Sequence, residues 1–182
     1  MKIGITGHTK GLGKAFADMF ESQGHEVIGF SRTNGYDISE RLDDIVEEVK
    51  DFDMFINNAY AYWAQGELLK RLVARWEGTN KVIVNISSKM SLLTKPPEHV
   101  KDYAYNKAHQ NYYLAKRHII GSPQVLNVNL GLTDTDMAKP YTAKKMDPVE
   151  VVTMINDLLK YKDKIYVQEL MIDVPGQDWK DL

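Results

Sequence analysis

The sequence contains no cysteine. That excludes a disulfide-stapled scaffold, a thiolate nucleophile and thiolate metal ligation. It has no apolar run near the ~18 residues that a membrane-spanning helix needs. Neither sign of charge is in excess: 23 Lys and Arg against 25 Asp and Glu leave a formal net charge of −2. Such a balance gives no electrostatic ground for a nucleic acid or an anionic membrane as partner. The histidines (His8, His25, His99, His109 and His118) lack metal-ligand spacing, so no metal site is expected. The start, Met1-Lys2-Ile3-Gly4-Ile5-Thr6, runs straight into a strand-like pattern; no secretory signal is expected, and the cytoplasm is the expected location.

What is present is the composition of an ordinary globular protein, 43% hydrophobic and 26% charged over 182 residues. That length fits one domain, 1–182, and no repeat or linker divides it. Strand-like runs at 2–6, 26–30, 54–57, 81–87, 125–129 and 164–173 alternate with helical patterns. Leu12, Ala15, Phe16, Met19 and Phe20 mark the buried face of the first helix. Further helices are predicted at 39–50, with Ser39 as N-cap, and at 67–76, 103–120 and 148–160, the last opening on proline. The alternation predicts a doubly wound, mostly parallel sheet in a Rossmann-like three-layer α/β/α arrangement. Asn34-Gly35 leaves too little chain for a hairpin return strand, so it predicts a tight connection into a very short third strand at 36–38.

Thr6-Gly7-His8-Thr9-Lys10-Gly11-Leu12-Gly13 closes the first strand and opens a helix. Glycines allow a sharp turn and close approach to a pyrophosphate, and the helix N-terminus offers free N–H groups. The spacing is Gly-x3-Gly-x-Gly, which on its own also describes a plain tight turn; its place at the first strand–helix junction points to a nucleotide. Farther on, a buried strand ends in Ser87-Ser88, and Tyr103-Ala104-Tyr105-Asn106-Lys107 follows on a helix. Tyr and Lys four apart share a helix face. An ammonium beside a phenol lowers its pKa, and a serine hydroxyl can hold a substrate oxygen. Tyr112/Lys116 and Tyr141/Lys145 repeat the spacing. Only Tyr103 begins the helix after the serine-bearing strand, at the carboxyl edge of the sheet, whereas Tyr112 lies about 13 Å further along.

These motifs, taken in order, resemble the short-chain dehydrogenase/reductase family along nearly the whole chain. The glycine loop is similar to the family's Thr-Gly-x3-Gly-x-Gly, and Asn57-Asn58-Ala59-Tyr60 to its Asn-Asn-Ala-Gly, with Tyr60 in place of glycine. Asn85-Ile86-Ser87-Ser88 resembles the serine strand, with Ser88 aligned as catalytic and Ser87 as the alternative. Asn129-Leu130-Gly131-Leu132-Thr133-Asp134-Thr135-Asp136-Met137 resembles Asn-x-Pro-Gly-x-x-x-Thr-x-Met, with Leu130 in place of proline. Gln168 to Gly176 resembles the closing strand and the turn after it.

The resemblance implies a nicotinamide cofactor held by Gly7, Thr9, Lys10, Gly11, Leu12, Gly13, Asn58, Ala59, Tyr103, Lys107, Thr133 and Thr135. At the adenosine ribose the chain has Ser31-Arg32 and no carboxylate, which with Lys10 favours NADP(H) over NAD(H). Asp37 resembles an element beside the adenine, and capping explains it equally well. The implied activity is carbonyl–alcohol interconversion on a small molecule: Tyr103 the acid/base, Lys107 depressing its pKa, Ser88 positioning the oxygen. The family's helix-borne Asn is missing before the serine strand, with Gln65 as possible substitute, and only 138–147 separate Met137 from Pro148. A shallow pocket is expected, with Tyr60, Tyr62, Trp63, Met90 and Tyr141 either lining it for a flat or apolar carbonyl or serving as core and interface. The alternative function is a catalytically weak nucleotide-binding regulatory protein. A homodimer through the 103–120 helix is possible, although a buried intrachain face explains Tyr105, Tyr112, Tyr113 and Leu114 as well.

Overall fold

The computed structural model describes residues 1–117 and 122–176. Six strands run parallel: β1 (Lys2–Thr6), β2 (Glu26–Phe30), β3 (Met54–Asn57), β4 (Val82–Ser88), β5 (Gln124–Leu130) and β6 (Glu169–Ile172). They lie side by side in the order β2-β1-β3-β4-β5-β6. Between them come α1 (Gly11–Ser22), α2 (Leu42–Glu48), α3 (Ala64–Arg75), α4 (Lys101–Arg117) and α5 (Pro148–Leu159). This is the doubly wound α/β fold that the alternation predicts.

Every residue of β3 and β4 is buried, as strands covered on both faces must be. Phe16 and Phe20 of α1, with Val151, Val152 and Ile155 of α5, cover one face over Ile3, Ile5, Val84 and Val128. Leu42 and Ile45 of α2, with Leu68, Leu72 and Trp76 over Phe55, Ile83 and Val125, form the core on the other. Each large apolar side chain fully buried in this way contributes about 1.5–3 kcal/mol. Strand order reverses between β1 and β3, and that reversal opens a crevice at the carboxyl ends of the strands.

Three expectations about elements change. No third strand forms at 36–38; the chain makes a one-turn 3-10 helix (Arg32–Asn34) and a turn instead. The Phe30 carbonyl faces β1 and accepts from Gly7 N–H, so that of Gly29 faces the outer edge, and Asn34 Nδ2 donates to it at 2.7 Å. A side chain thus takes the place a strand would pair with. Second, α2 begins at Leu42, and Ser39 is not its cap. Asp37 Oδ1 accepts the Ser39 N–H at 2.8 Å, while the Asp37 carbonyl accepts from Glu40 and Arg41, closing a separate turn. Third, the last strand is Glu169–Ile172 and not the longer 164–173. Ahead of it the Tyr166 hydroxyl accepts the Val125 N–H at 3.0 Å, replacing a backbone pair.

The end of the predicted 103–120 helix, 118–120, with His118, lies outside the described residues. On the part described, Tyr113 and Leu114 pack against the core, while Tyr105 and Tyr112 are exposed. No described helix is long and apolar enough to cross a membrane.

Candidate active site

The turn after β1 is built so that a backbone, not a side chain, faces the crevice. Gly7 and Gly11 hold φ of +71° and +55°, where an L-side chain is strained. A Cβ at Gly13 would stand 2.2 Å from the Gly7 oxygen and 2.7 Å from Asn58 Nδ2. Helix α1 starts here with no side-chain cap and no acidic residue in its first turn, so its N–H groups and positive dipole end stay open. Leu12 is buried beneath it, and Thr9 is exposed. Thr135 closes over the loop: a Cβ at Gly11 would meet its methyl at 3.1 Å. Thr133 is buried in the same segment. The ring of His8 lies on Gly29 at the end of β2, with Nδ1 buried and without a partner.

The turn after β3 is tied to this loop by a residue outside the sequence-predicted set. Thr6, fully buried, accepts the backbone N–H of Asn58 at 2.9 Å and of Ala59 at 3.0 Å on its hydroxyl. Asn58 Nδ2 adds a bond to the Thr6 carbonyl at 3.0 Å. Three N–H donors on one threonine fix Asn58 and Ala59 against Gly7.

The charged residues expected around the ribose are placed differently from one another. Arg32 is exposed beside Ser31, and no acidic partner for it is found among the described residues. The Ser31 hydroxyl is engaged locally, 2.7 Å from Thr33 Oγ1. Lys10 pairs with Asp136 at 2.9 Å, across the mouth of the crevice. Asp136 also pairs with Lys139, and hydrogen bonds from Lys139 and then Lys10 hold its carboxyl down to about 2. Asp37 spends one carboxylate oxygen on its own turn. Among the described residues no cluster of three or more His, Asp or Glu is placed to hold a metal ion.

Ser88, Tyr103 and Lys107 converge at the carboxyl end of β4. Ser88 Oγ accepts the Met90 N–H at 3.1 Å and lies close enough to the Tyr103 hydroxyl to act on its titration. Ser87 turns the other way and donates to Asn111 Oδ1 at 2.8 Å. Lys107 is 2% exposed, its Nζ 5.5 Å from the centroid of the Tyr103 ring and 5.6 Å from that of Tyr60. Burial pushes the Lys107 amine down to about 7. Burial also raises Tyr103, outweighing the neighbouring Ser88 side chain, which favours its phenolate. The expected depression of Tyr103 by Lys107 is therefore not what this arrangement produces. The lysine is itself too dry to stay fully charged near neutral pH. The decoy pair behaves as a surface pair: Tyr112 is exposed with Lys116 over its ring at 4.4 Å.

Of the aromatic candidates, Tyr60 stands edge-on to Tyr103 at 4.8 Å and lies 5.9 Å from Tyr62. Tyr141 comes near enough to Tyr103 to raise its pKa slightly. Tyr62 and Trp63 are 66% and 60% exposed, so they are not core. Tyr62 holds φ of +46°, an uncommon strained conformation for a residue with a Cβ.

No family model and no curated protein matches the sequence. Solved structures do. The chain is similar to an alcohol dehydrogenase from the archaeon Thermococcus sibiricus complexed with 5-hydroxy-NADP, at TM-score 0.77 and 17% identity over 98% of each chain. A short-chain dehydrogenase from Burkholderia cenocepacia J2315 in complex with NADP gives 0.78 at 16% identity, over 95% of this chain and 88% of that one. A 4-hydroxyisoleucine dehydrogenase mutant complexed with NADH and succinate gives 0.81 at 17%, over 98% and 100%. The chain has the short-chain dehydrogenase/reductase fold.

Within this short-chain dehydrogenase/reductase fold, the loop geometry fits a dinucleotide: a Cβ-free cradle, an open helix N-terminus and an unpartnered buried His8 nitrogen. Two groups of residues escaped sequence reasoning. Thr6 carried a signal, since it opens the glycine motif. Buried asparagines (Asn57, Asn85, Asn127 and Asn129) carried one too, as polar residues inside apolar strands.

Proposed function

We propose that this chain is a member of the short-chain dehydrogenase/reductase family, an NADP(H)-dependent oxidoreductase that interconverts a carbonyl and an alcohol. The observation that carries this reading is the convergence of Ser88, Tyr103 and Lys107, with Ser88 beside the Tyr103 hydroxyl and the Lys107 nitrogen 5.5 Å from the Tyr103 ring, next to the glycine cradle. A nicotinamide cofactor supplies or accepts the hydride at the substrate carbon. Tyr103 gives or takes the proton at the substrate oxygen. Ser88, with Oγ steadied by the Met90 N–H, donates its own hydrogen to that oxygen. Lys107 lies against the rings that enclose the reacting oxygen and holds the nicotinamide ribose.

The cofactor is held by Gly7, Thr9, Lys10, Gly11, Leu12 and Gly13, by Asn58 and Ala59, by Thr133 and Thr135, and by Ser31 and Arg32 at the ribose, with Asp37 near the adenine. The carboxylate-free end of β2 and the exposed Arg32 favour the 2′-phosphate of NADP(H). The rim of Tyr60, Tyr62, Trp63 and Tyr141 favours a flat, apolar carbonyl compound.

The test is NADPH oxidation over a panel of aldehydes, ketones and quinones, comparing wild type with Tyr103→Phe. Turnover in the wild type and its loss, by about 100-fold or more, in the variant is expected. Turnover that survives the substitution removes Tyr103 from the mechanism. Tight NADPH binding with no turnover across the panel would mark a nucleotide-binding regulatory protein instead.

A further inference from the structure

We infer that Gln65 is the positioning residue for Lys107, its amide oxygen accepting from Nζ at 2.6 Å while a buried amide network fixes which end of that amide meets the lysine. The inference rests on the oxidoreductase reading above. Gln65 is fully buried near the start of α3. Its Nε2 donates to two backbone carbonyls, Asn57 at 2.8 Å and Ile86 at 2.9 Å. Carbonyls only accept, so a flipped amide would set oxygen against oxygen and turn an NH2 toward an amine. Gln110 Nε2 approaches the same Gln65 oxygen at 3.4 Å, because Gln110 Oε1 is taken by Asn85 Nδ2 at 3.3 Å.

Behind this contact runs a chain of amides with one sense. Asn57 Nδ2 donates to the Gln65 carbonyl at 3.0 Å and to Asn85 Oδ1 at 2.9 Å. Asn85 donates to Asn127, Asn127 to Asn111 and Asn111 to Asn129, at 2.8, 2.9 and 2.9 Å. Asn129 donates to the Glu169 carboxylate at 2.5 Å. Asn57, Asn85, Asn127 and Glu169 occupy paired registers across β3, β4, β5 and β6. A backbone carbonyl fixes the chain at one end and a carboxylate at the other, and neither donates, so the orientation of each amide between them is determined.

The second acceptor for Nζ is the Ile86 carbonyl at 2.6 Å. Both acceptors are neutral. The titratable groups facing the amine are Tyr103 from α4 and Tyr60 from the segment after β3; α3 and β4 offer only the Gln65 amide and the Ile86 carbonyl. Gln65 therefore holds the nitrogen in place without the charge that would lock it protonated, and burial leaves it free to titrate at about 7.

The test reads the lysine directly. Protein labelled with [13Cε]lysine is titrated by NMR, with Lys107 assigned through Lys107→Arg, and the kcat/KM pH profile is recorded beside it. Gln65→Glu, nearly equal in volume, sets a carboxylate against Nζ. It is expected to raise the Lys107 titration by about 1–3 pH units, with the pH profile following. Gln65→Leu removes the acceptor and is expected to lower the titration. A role confined to packing would cost stability and leave the titration of Gln65→Glu within a few tenths of a unit of wild type, which overturns the inference. Gln65→Glu also sets its second oxygen against the Asn57 and Ile86 carbonyls. Should either variant fail to fold, the titration of the other decides: an unshifted Lys107 in the variant that folds overturns the inference. The NMR titration needs no turnover, so an inactive wild type would defeat the oxidoreductase reading and leave this result standing.

Discussion

The ring of Tyr60 meets that of Tyr103 edge-on, with centroids 4.8 Å apart, and the same ring lies 5.6 Å from the Lys107 nitrogen. Tyr60 follows Asn57-Asn58-Ala59, where the resemblance places glycine. One residue therefore adds an aromatic wall to the site and excludes water from both partners. Burial is the foremost cause of the shift in each: upward for Tyr103, downward for Lys107.

Replacing Tyr60 with glycine should move the two groups in opposite directions. Water reaches both, so Lys107 rises from about 7 toward its ordinary 10.5 and Tyr103 falls toward 10.0. Tyr60→Phe keeps the ring, losing only the 3.4 Å bond from Asn106 Nδ2, and should leave both nearly in place. The glycine variant should also lose about 1–3 kcal/mol of stability through the missing aromatic contacts. Lysine NMR and tyrosinate absorbance against pH check this. Parallel movement of the two groups would refute the shared-wall account.

The buried amine also predicts how stability depends on pH. The folded-state pKa of Lys107, about 7, lies below its ordinary 10.5. Between those values the unfolded chain holds a proton that the folded chain does not, so the lysine makes stability rise with pH, by up to about 1.4 kcal/mol per unit. Below pH 7 both states are protonated and its contribution is flat. Lys107→Met removes that slope. Urea unfolding at pH 6, 7, 8 and 9 should show the difference, variant minus wild type, constant at first and then falling by roughly 1 kcal/mol per unit. Groups common to both proteins cancel in that difference. A difference independent of pH would place the Lys107 titration elsewhere.

What the sequence made legible, and what it hid, divides by how local the signal is. The glycine loop, the strand ending in Ser87-Ser88 and the Tyr103/Lys107 spacing are contiguous, and chain order alone carries them to one sheet edge. The alternation of strands and helices is read the same way. Hidden features depend on partners far along the chain. Lys10 reads as a free cation until Asp136, 126 residues on, takes it. The 36–38 strand fails because Asn34 reaches back to the Gly29 carbonyl, a side-chain choice that propensity does not record. The asparagines of β3, β4 and β5 stand out singly as polar residues in apolar strands. Only the register that aligns Asn57, Asn85 and Asn127 turns them into one network holding Gln65.

The cradle predicts that glycines differ in consequence. Gly13→Ala would place a Cβ 2.2 Å from the Gly7 oxygen and 2.7 Å from Asn58 Nδ2, and the first of these is backbone, which cannot swing aside. The loop must open, costing about 1–3 kcal/mol. NADPH affinity should fall by 10-fold or more, because the backbone N–H groups lose their alignment. Gly24→Ala meets nothing within 4 Å and is strained only by its φ of +78°. It should cost about 1–2 kcal/mol and leave NADPH affinity unchanged. Urea midpoints and fluorescence titration separate the two. Equal loss of affinity in both would mean that the effect is general destabilisation and not the cradle.

The pair that spans the mouth of the crevice makes the last prediction, about cofactor choice. Lys10 and Asp136 lie 2.9 Å apart with their side chains 70% and 50% exposed, so the pair itself adds little to stability. Its consequence is for the charge available to a 2′-phosphate. Asp136, held down to about 2 by Lys139 and Lys10, stays ionised throughout the working pH range and keeps Lys10 partly neutralised. Asp136→Asn should release Lys10 and tighten NADPH about 3- to 10-fold, while NADH, which lacks the 2′-phosphate, changes less than about 2-fold. Arg32→Gln should act in the opposite direction and weaken NADPH by about 10- to 100-fold with NADH again nearly unchanged. Both effects should shrink as salt is raised from 0.05 to 0.5 M, because these side chains are exposed. Should Arg32→Gln weaken NADH and NADPH alike, Arg32 would be supporting the β2 turn and not reading the phosphate. An NADPH affinity indifferent to both substitutions would leave the cofactor preference without its two cations.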